Sequence, residues 1–205
     1  MNGFPMGKAL QKFVKMLIDR LFAGLFLVLF SPLFLGIAIG IKREDRGPVF
    51  FRQDRLGKNG RVFKIIKFRS MVPDAIHKGS GLHIQPNDDR ITRIGRMLRK
   101  TSLDELPQLI NILKGEMSFI GPRPPVPTYP KRYEEYEEWV LPRFEALPGM
   151  TGLAQVSGRN DIDWYERFRY DIEYVRDWSL LKDIRILFLT FKTVIKGKGI
   201  YKAPS

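Results

Sequence analysis

The chain has no cysteine and only two histidines, His77 and His83, among 205 residues. Lack of cysteine excludes disulfides, thiolate nucleophiles and thiolate metal sites. Scarcity of histidine argues against a histidine-based metal centre. Negative charge is also in short supply: 22 Asp and Glu face 35 Lys and Arg, a net charge of +13. Such a surface attracts phosphate, whether on nucleic acid, anionic lipid or nucleotide. The remainder of the composition, 44% hydrophobic and 28% charged, is that of a folded protein with one core. No internal repeat is present.

Long apolar runs are absent too, with one exception. Residues 21–41 (LFAGLFLVLFSPLFLGIAIGI) carry no charge, close to the roughly 20 residues a membrane-spanning helix needs. A cleaved signal peptide fits poorly, because the run is too long and no small-residue cleavage site follows it. Ser31-Pro32 lies at its centre. Proline removes a backbone donor and clashes with the preceding turn, so a kink is expected there. The Ser31 hydroxyl can satisfy a carbonyl freed by that kink. Each half is then about 10 residues, or roughly 15 Å, half the hydrocarbon thickness. Basic residues flank both ends: Lys8, Lys12, Lys15 and Arg20 before, Lys42, Arg43 and Arg46 after. Basic flanks prefer the cytoplasm. A re-entrant hairpin bent at Ser31-Pro32 keeps both there, whereas a straight span would export one. The expected division is a membrane segment, 1–46, and a catalytic unit on the cytoplasmic face, 47–205.

Downstream, residues 49–53 and 62–71 are β-branched and aromatic, with Gly57-Lys58-Asn59-Gly60 between them, which predicts a β-hairpin. Residues 73–90 read as a polar loop. Helical spacing returns over 91–115. GPRPPVPTYP (121–130) reads as a stiff extended segment, 131–141 as a helix, and 148–160 as turn-rich. The aromatics from Trp164 to Trp178 lie among basic residues. They suit a membrane interface or an ordinary core.

The strongest chemical signal is RKTSLDELPQLINILKGEMSFIGPRPP (99–125). Ser102 and Glu105 have capping-box spacing, and Pro107 is tolerated only near a helix start. Asp104 and Glu105 are therefore expected in or beside a first helical turn, where free N–H groups favour anions. An ionised Asp104 can attack phosphorus. Adjacent carboxylates on a helix point about 100° apart, so one attacks while the other positions a metal or water. Hard oxygen ligands beside phosphate suit Mg2+. Arg99, Lys100 and Arg123 can neutralise phosphate, and Pro122, Pro124 and Pro125 stiffen the backbone around Arg123. On these residues alone, a pair of helix caps accounts for Asp104 and Glu105 equally simply.

The motifs Ser31-Pro32, GPVFFRQDRLG (47–57), KFRSM (67–71), TSLDELPQLINILKGEMSFIGPRP (101–124), PGMTGLAQVSGRN (148–160) and YVRDWSLLKDI (174–184), in that order, resemble the bacterial sugar transferases, the monotopic polyprenyl-phosphate phosphoglycosyl transferases. The resemblance runs from about Lys12 to the C-terminus. It implies an α/β fold, mostly helical, with a re-entrant membrane helix, a small β-hairpin and interfacial amphipathic helices, at the bacterial inner membrane with the site on the cytoplasmic face. It implies transfer of a sugar 1-phosphate from a UDP-sugar to polyprenyl phosphate with release of UMP, through an intermediate on Asp104, with Mg2+ held at Asp104 and Glu105. Arg99 and Arg123 match phosphate-contacting positions; Gln155, Arg159 and Asn160 match a turn near the nucleotide sugar. Ser157 stands where many members carry Asn, which leaves the sugar open. The chain looks like a minimal catalytic form without the longer members' N-terminal spans. The implied partners are UDP-sugar, polyprenyl phosphate and anionic lipid, not nucleic acid; a homodimer stays open. Outside the family, a membrane- or nucleic-acid-binding protein would use the charge but leave the Asp-Glu pair without purpose, and a lipid-diphosphate hydrolase would use water as final acceptor.

Overall fold

A computed structural model describes residues 7–75, 88–158 and 162–196. Two helices open the chain, α1 (Lys8–Leu29) and α2 (Ser31–Asp45), bent by 61° across Phe30. The local cause is the one expected. Pro32 has no N–H to offer the Val28 carbonyl, and the Ser31 hydroxyl donates to that carbonyl instead at 2.8 Å. Among the described residues no single helix is long and apolar enough to cross a membrane, although the bent pair together is.

The predicted hairpin forms as β1 (Phe50–Leu56) and β2 (Val62–Phe68), antiparallel, with Phe50 opposite Phe68 and Arg55 opposite Phe63. Asn59 and Gly60 close it with positive φ (54° and 73°). Because side chains alternate along a strand, Gln53, Arg55, Phe63, Ile65 and Lys67 share one face of the ribbon. Helix α3 (Arg93–Thr101) follows, then a 3-10 turn over Leu103–Glu105, then α4 (Gln108–Lys114). Strand β3 (Ser118–Ile120) pairs in parallel with β4 (Gly149–Thr151), and α5 (Leu153–Ser157), α6 (Trp164–Arg176) and α7 (Leu180–Lys196) complete the chain. The fold is mostly helical with a small antiparallel hairpin.

Three local expectations need correction. Residues 131–141 are not an α-helix but contain a 3-10 turn, Tyr133–Glu135, followed by extended backbone at Tyr136. Packing overrides helical spacing here: Tyr133 and Tyr136 both lie against Phe144, ring centroids 5.1 and 5.2 Å away, and Pro142 sits in a second 3-10 turn, Leu141–Glu145. The segment 148–160 is more regular than a run of turns, since it supplies β4 and α5. Its glycines permit contact between backbones: a Cβ on Gly149 would come within 2.1 Å of Gly121 N. The aromatics of 164–178 divide. Phe168 and Tyr174 are core, while Tyr165 stays exposed. A continuous exposed apolar face lies further on, at Leu181, Ile184, Phe188 and Phe191 of α7.

The first two helices are built into the core. Ala23 of α1 packs with Ile65, Leu109, Ile112 and Met117; Ile37 and Ile41 of α2 pack with Phe68 and Leu98. Polar ties accompany this burial. The Ser118 hydroxyl donates to Asp19 at 2.6 Å, and Lys15 pairs with Asp183 at 2.7 Å. The Glu44 carboxylate accepts from the backbone N–H of Arg93 and Ile94 (2.6 and 3.1 Å), closing the N-terminus of α3, and Asp45 pairs with Arg69. Asn111, fully buried, joins α4 to the edge of β2. Its carbonyl oxygen accepts from Ile66 N at 3.0 Å and its amide donates to Lys64 O at 2.8 Å.

Candidate active site

Asp104 and Glu105 sit on the 3-10 turn between α3 and α4, just ahead of α4 and so beside a helix start as expected. The capping box is not made. Helix α3 runs to Thr101, and Ser102 closes its C-terminus in the left-handed region (φ 58°) with no side-chain cap. The true N-cap of α3 is Thr92, which accepts from Gly95 N at 3.0 Å. The positive potential around the pair comes mainly from side chains, brought in by four separate elements.

From β2, Lys67 donates to Glu105 Oε1 at 2.5 Å. From α3, Arg99 acts electrostatically on Asp104 while its Nε donates to Ser70 Oγ at 2.8 Å. That placement depends on Gly95, where a Cβ would fall 1.9 Å from Ser70 O; no larger residue lets α3 lie so close. From the proline-rich segment, Arg123 acts on Glu105, and Arg55 of β1 does so from the same ribbon face as Lys67. The structure thus brings together Asp104, Glu105, Arg99 and Arg123 and adds Lys67 and Arg55. Both additions lie in recognisable motifs, but their convergence depends on strand register, which spacing along the chain does not reveal.

The two carboxyls are driven apart. Burial pushes Asp104 up to about 6, with the neighbouring Glu105 charge adding to it and Lys67 and Arg99 opposing. Asp104 thus stays mostly ionised at neutral pH, as expected, but takes up a proton far more readily than an ordinary carboxylate. Burial works in the same direction on Glu105 but is outweighed by Lys67 and Arg123, which hold it down at about 2. Carboxyls with separated affinities for the proton have separable roles.

Gln155 lies on α5 with both amide atoms buried and without a hydrogen-bond partner. An ideal Cβ on Gly152 would sit 3.0 Å from its Oε1 and 2.1 Å from Gly121 O, so the amide borders the start of the Arg123 segment. Arg159 and Asn160 lie outside the described residues, as do His77 and His83. Ser31 and Pro32 stand at the helix break, away from the carboxylates. Among the described residues no group of three or more Asp, Glu or His is placed to hold a metal ion. Any Mg2+ would have two protein carboxylates, Asp104 and Glu105, and would draw its other ligands from phosphate and water, a donor set that suits this ion.

Comparison with known proteins identifies the family of the chain. Residues 10–197 match the family model for bacterial sugar transferases. The galactosyl transferase CpsE of Streptococcus agalactiae serotype III (strain NEM316) is 46% identical over 168 residues, covering 77% of this chain and 37% of that protein. The UDP-glucose:undecaprenyl-phosphate glucose-1-phosphate transferase of Xanthomonas campestris pv. campestris is 44% identical over 208 residues, covering 98% and 41%. The sugar transferase EpsL of Bacillus subtilis (strain 168) is 42% identical over 189 residues, covering 90% and 91%. The chain spans about two fifths of the length of the first two and matches EpsL nearly end to end. The chain belongs to the bacterial sugar transferase family.

Proposed function

We propose that this chain transfers a sugar 1-phosphate from a UDP-sugar to polyprenyl phosphate at the cytoplasmic face of a bacterial inner membrane. The observation that carries this reading is the Asp104–Glu105 pair ringed by Lys67, Arg99, Arg123 and Arg55, on a domain built around a bent apolar helix pair. The relatives' names support it, one specifying glucose 1-phosphate transfer from UDP-glucose to undecaprenyl phosphate and another galactosyl transfer; the sugar itself is left open.

In this reading Asp104 is the nucleophile. Its carboxylate oxygen attacks the sugar-bearing phosphorus of the UDP-sugar, the bond to the bridging oxygen breaks, and UMP leaves with that oxygen. The sugar phosphate stays on Asp104. A lipid phosphate oxygen then attacks the same phosphorus, the bond to Asp104 breaks, and the carboxylate is regenerated. Glu105, held ionised by Lys67, orients the diphosphate, and Arg99 and Arg123 neutralise its charge. Mg2+, when bound at Asp104 and Glu105, would supply further neutralisation of the departing UMP. The bent pair α1–α2 enters and leaves the same membrane face, with the apolar side of α7 lying in the interface, so the site sits at headgroup depth where the lipid phosphate resides.

The test is a single turnover with radiolabelled UDP-sugar and no lipid. UMP release should match covalent label on the protein, and added polyprenyl phosphate should carry that label away. UMP release with no label on the protein, and sugar phosphate appearing in water, would assign a hydrolase instead. Excess chelator is expected to stop UMP release and added Mg2+ to restore it; full turnover in chelator contradicts the metal assignment.

The pH dependence follows from Asp104. Its carboxylate is the reactive form, so protonation as pH falls through about 6 removes the nucleophile. Single-turnover UMP release should decline about tenfold per pH unit below that point. Glu105 stays ionised to about 2 and adds nothing to this limb. A flat profile down to pH 4.5 would contradict the role given to Asp104.

A further inference from the structure

Four consecutive backbone carbonyls, from Pro122 to Pro125, are each held by a different donor. Pro122 O accepts from Gly149 N at 2.9 Å, Arg123 O from Arg143 Nη2 at 2.8 Å, Pro124 O from Arg55 Nη1 at 3.0 Å, and Pro125 O from Leu56 N at 2.9 Å. Three of the four residues are prolines, with φ fixed by the ring. The outer two donors are backbone amides next to strands, as in any folded segment. The inner two are guanidinium groups, and they hold the carbonyl of Arg123 itself and that of the residue after it.

Both guanidiniums are costly to place there. Arg143 is 2% exposed; it is paired through Nε and Nη2 with Asp171 Oδ2 at 3.0 and 2.6 Å and flanked by the rings of Phe144 and Phe168. Arg55 has no bonded carboxylate among the described residues. Its Nη2 donates to Gln53 Oε1 at 2.7 Å, and its Nε is buried with no hydrogen-bond partner. Burial, with Arg123 adding its own charge, pushes Arg55 down to about 10. A half-buried cation without a bonded counter-ion gains little stability, so hydrophobic packing gives no reason for an arginine at this position. Beside the action of its charge on Glu105, what its position accomplishes is a grip on Pro124.

We propose that Arg55 and Arg143 are positioning residues that clamp the carbonyls of Pro124 and Arg123, so that the Arg123 guanidinium is presented to the carboxylate pair in one orientation. This assignment rests on the phosphotransfer reading for its kinetic consequence but not for its structural one. The backbone is immobilised on both sides of Arg123, and only its side chain is free to respond to a phosphate. Orienting a charge before the reaction is what makes it effective in stabilising a transition state.

Two measurements separate the possibilities. The first reads the clamp without catalysis. The segment is bonded at its ends by the amides of Gly149 and Leu56, which donate to Pro122 O and Pro125 O at 2.9 Å, so deuterium exchange at these two amides reports on whether it stays in place. Arg55→Met should raise that exchange at least about tenfold with the melting temperature shifted by no more than about 3 °C; unchanged exchange overturns the clamp. The second is a double-mutant cycle on UMP release. Arg55→Met alone should lower kcat/KM by about 30-fold, and Arg55→Lys, which can still donate to Pro124 O, by about threefold. In an Arg123→Met background Arg55→Met should cost no more than about threefold further. Full multiplication of the two losses, or equal losses for Lys and Met at position 55, would show that Arg55 acts independently of Arg123. Arg143→Lys serves as the second variant in the same cycle and keeps a partner for Asp171. If the wild-type chain itself releases no UMP, the transferase reading fails while the exchange measurement still decides the clamp.

Discussion

Asp104→Asn is expected to lose covalent labelling by UDP-sugar entirely and to slow UMP release by about three to four orders of magnitude, the size of effect seen when a nucleophile is removed and its binding site is left intact. The substitution is close to isosteric. Lys67 still reaches Glu105 at 2.5 Å, and Arg99 is still tied to Ser70, so donor affinity should change little. Quench-flow for UMP and autoradiography of the protein measure the two effects; labelling at the wild-type level would remove Asp104 as nucleophile. The same variant should be the more stable protein. Burial raises the Asp104 pKa in the folded state above its ordinary value of 3.8. The ionised form therefore costs stability above about pH 6, and this cost disappears as pH falls below the unfolded value. Asn carries no charge, so a gain of about 1 kcal/mol is expected at pH 7.5, shrinking towards zero near pH 4. Loss of chemistry with a gain in stability is the signature of a group placed for reaction, and no cap behaves that way.

Asp171→Ala should have the largest effect on folding. Asp171 is 1% exposed and is hydrogen-bonded to the equally buried Arg143. Removing the carboxylate strands a guanidinium in the core, at a cost of about 3–5 kcal/mol, or roughly 6–20 °C in melting temperature for a domain of this size. Burial pushes the Asp171 pKa up even against the pull of Arg143, so the pair is not a net source of stability. Arg143→Met combined with Asp171→Leu should accordingly recover most of the melting temperature lost in Asp171→Ala. It should not recover turnover, because the bond from Arg143 to Arg123 O is gone. Calorimetry beside UMP release checks both halves; a double variant as unstable as the single one would mean that the pair itself holds the core together.

Much of this was legible in the chain. The hairpin was announced by two β-branched runs around a Gly-Lys-Asn-Gly turn, and the helix break by Ser31-Pro32. Asp104, Glu105, Arg99 and Arg123 lay in one motif, and all four meet in space. The errors have physical causes. Ser102 and Glu105 had capping spacing, but a capping box needs Ser102 in extended backbone, and the preceding helix delivers it in the left-handed region instead. Residues 131–141 had helical composition, but Tyr133 and Tyr136 turn together onto Phe144, a residue beyond 141 that local preference does not see. Lys67 and Arg55 escaped notice as site residues for a similar reason. Each sits in a basic strand like any other, and only the pairing of Arg55 with Phe63 in the register puts both on the face that meets Glu105.

The burial of Ala23, Ile37 and Ile41 in clusters shared with Ile65, Ile112, Phe68 and Leu98 bears on how such a protein can be taken apart. A detachable tether contributes reach and nothing else, and it can be swapped or trimmed. Here the lipophilic segment is masonry: its side chains fill gaps behind the strand that carries Lys67 and the helix that carries Arg99. Modularity of the kind that yields a catalytic fragment free of its apolar segment is therefore not available to this architecture, and selection acting on the apolar helix pair is at the same time selection on the geometry of the carboxylate pair.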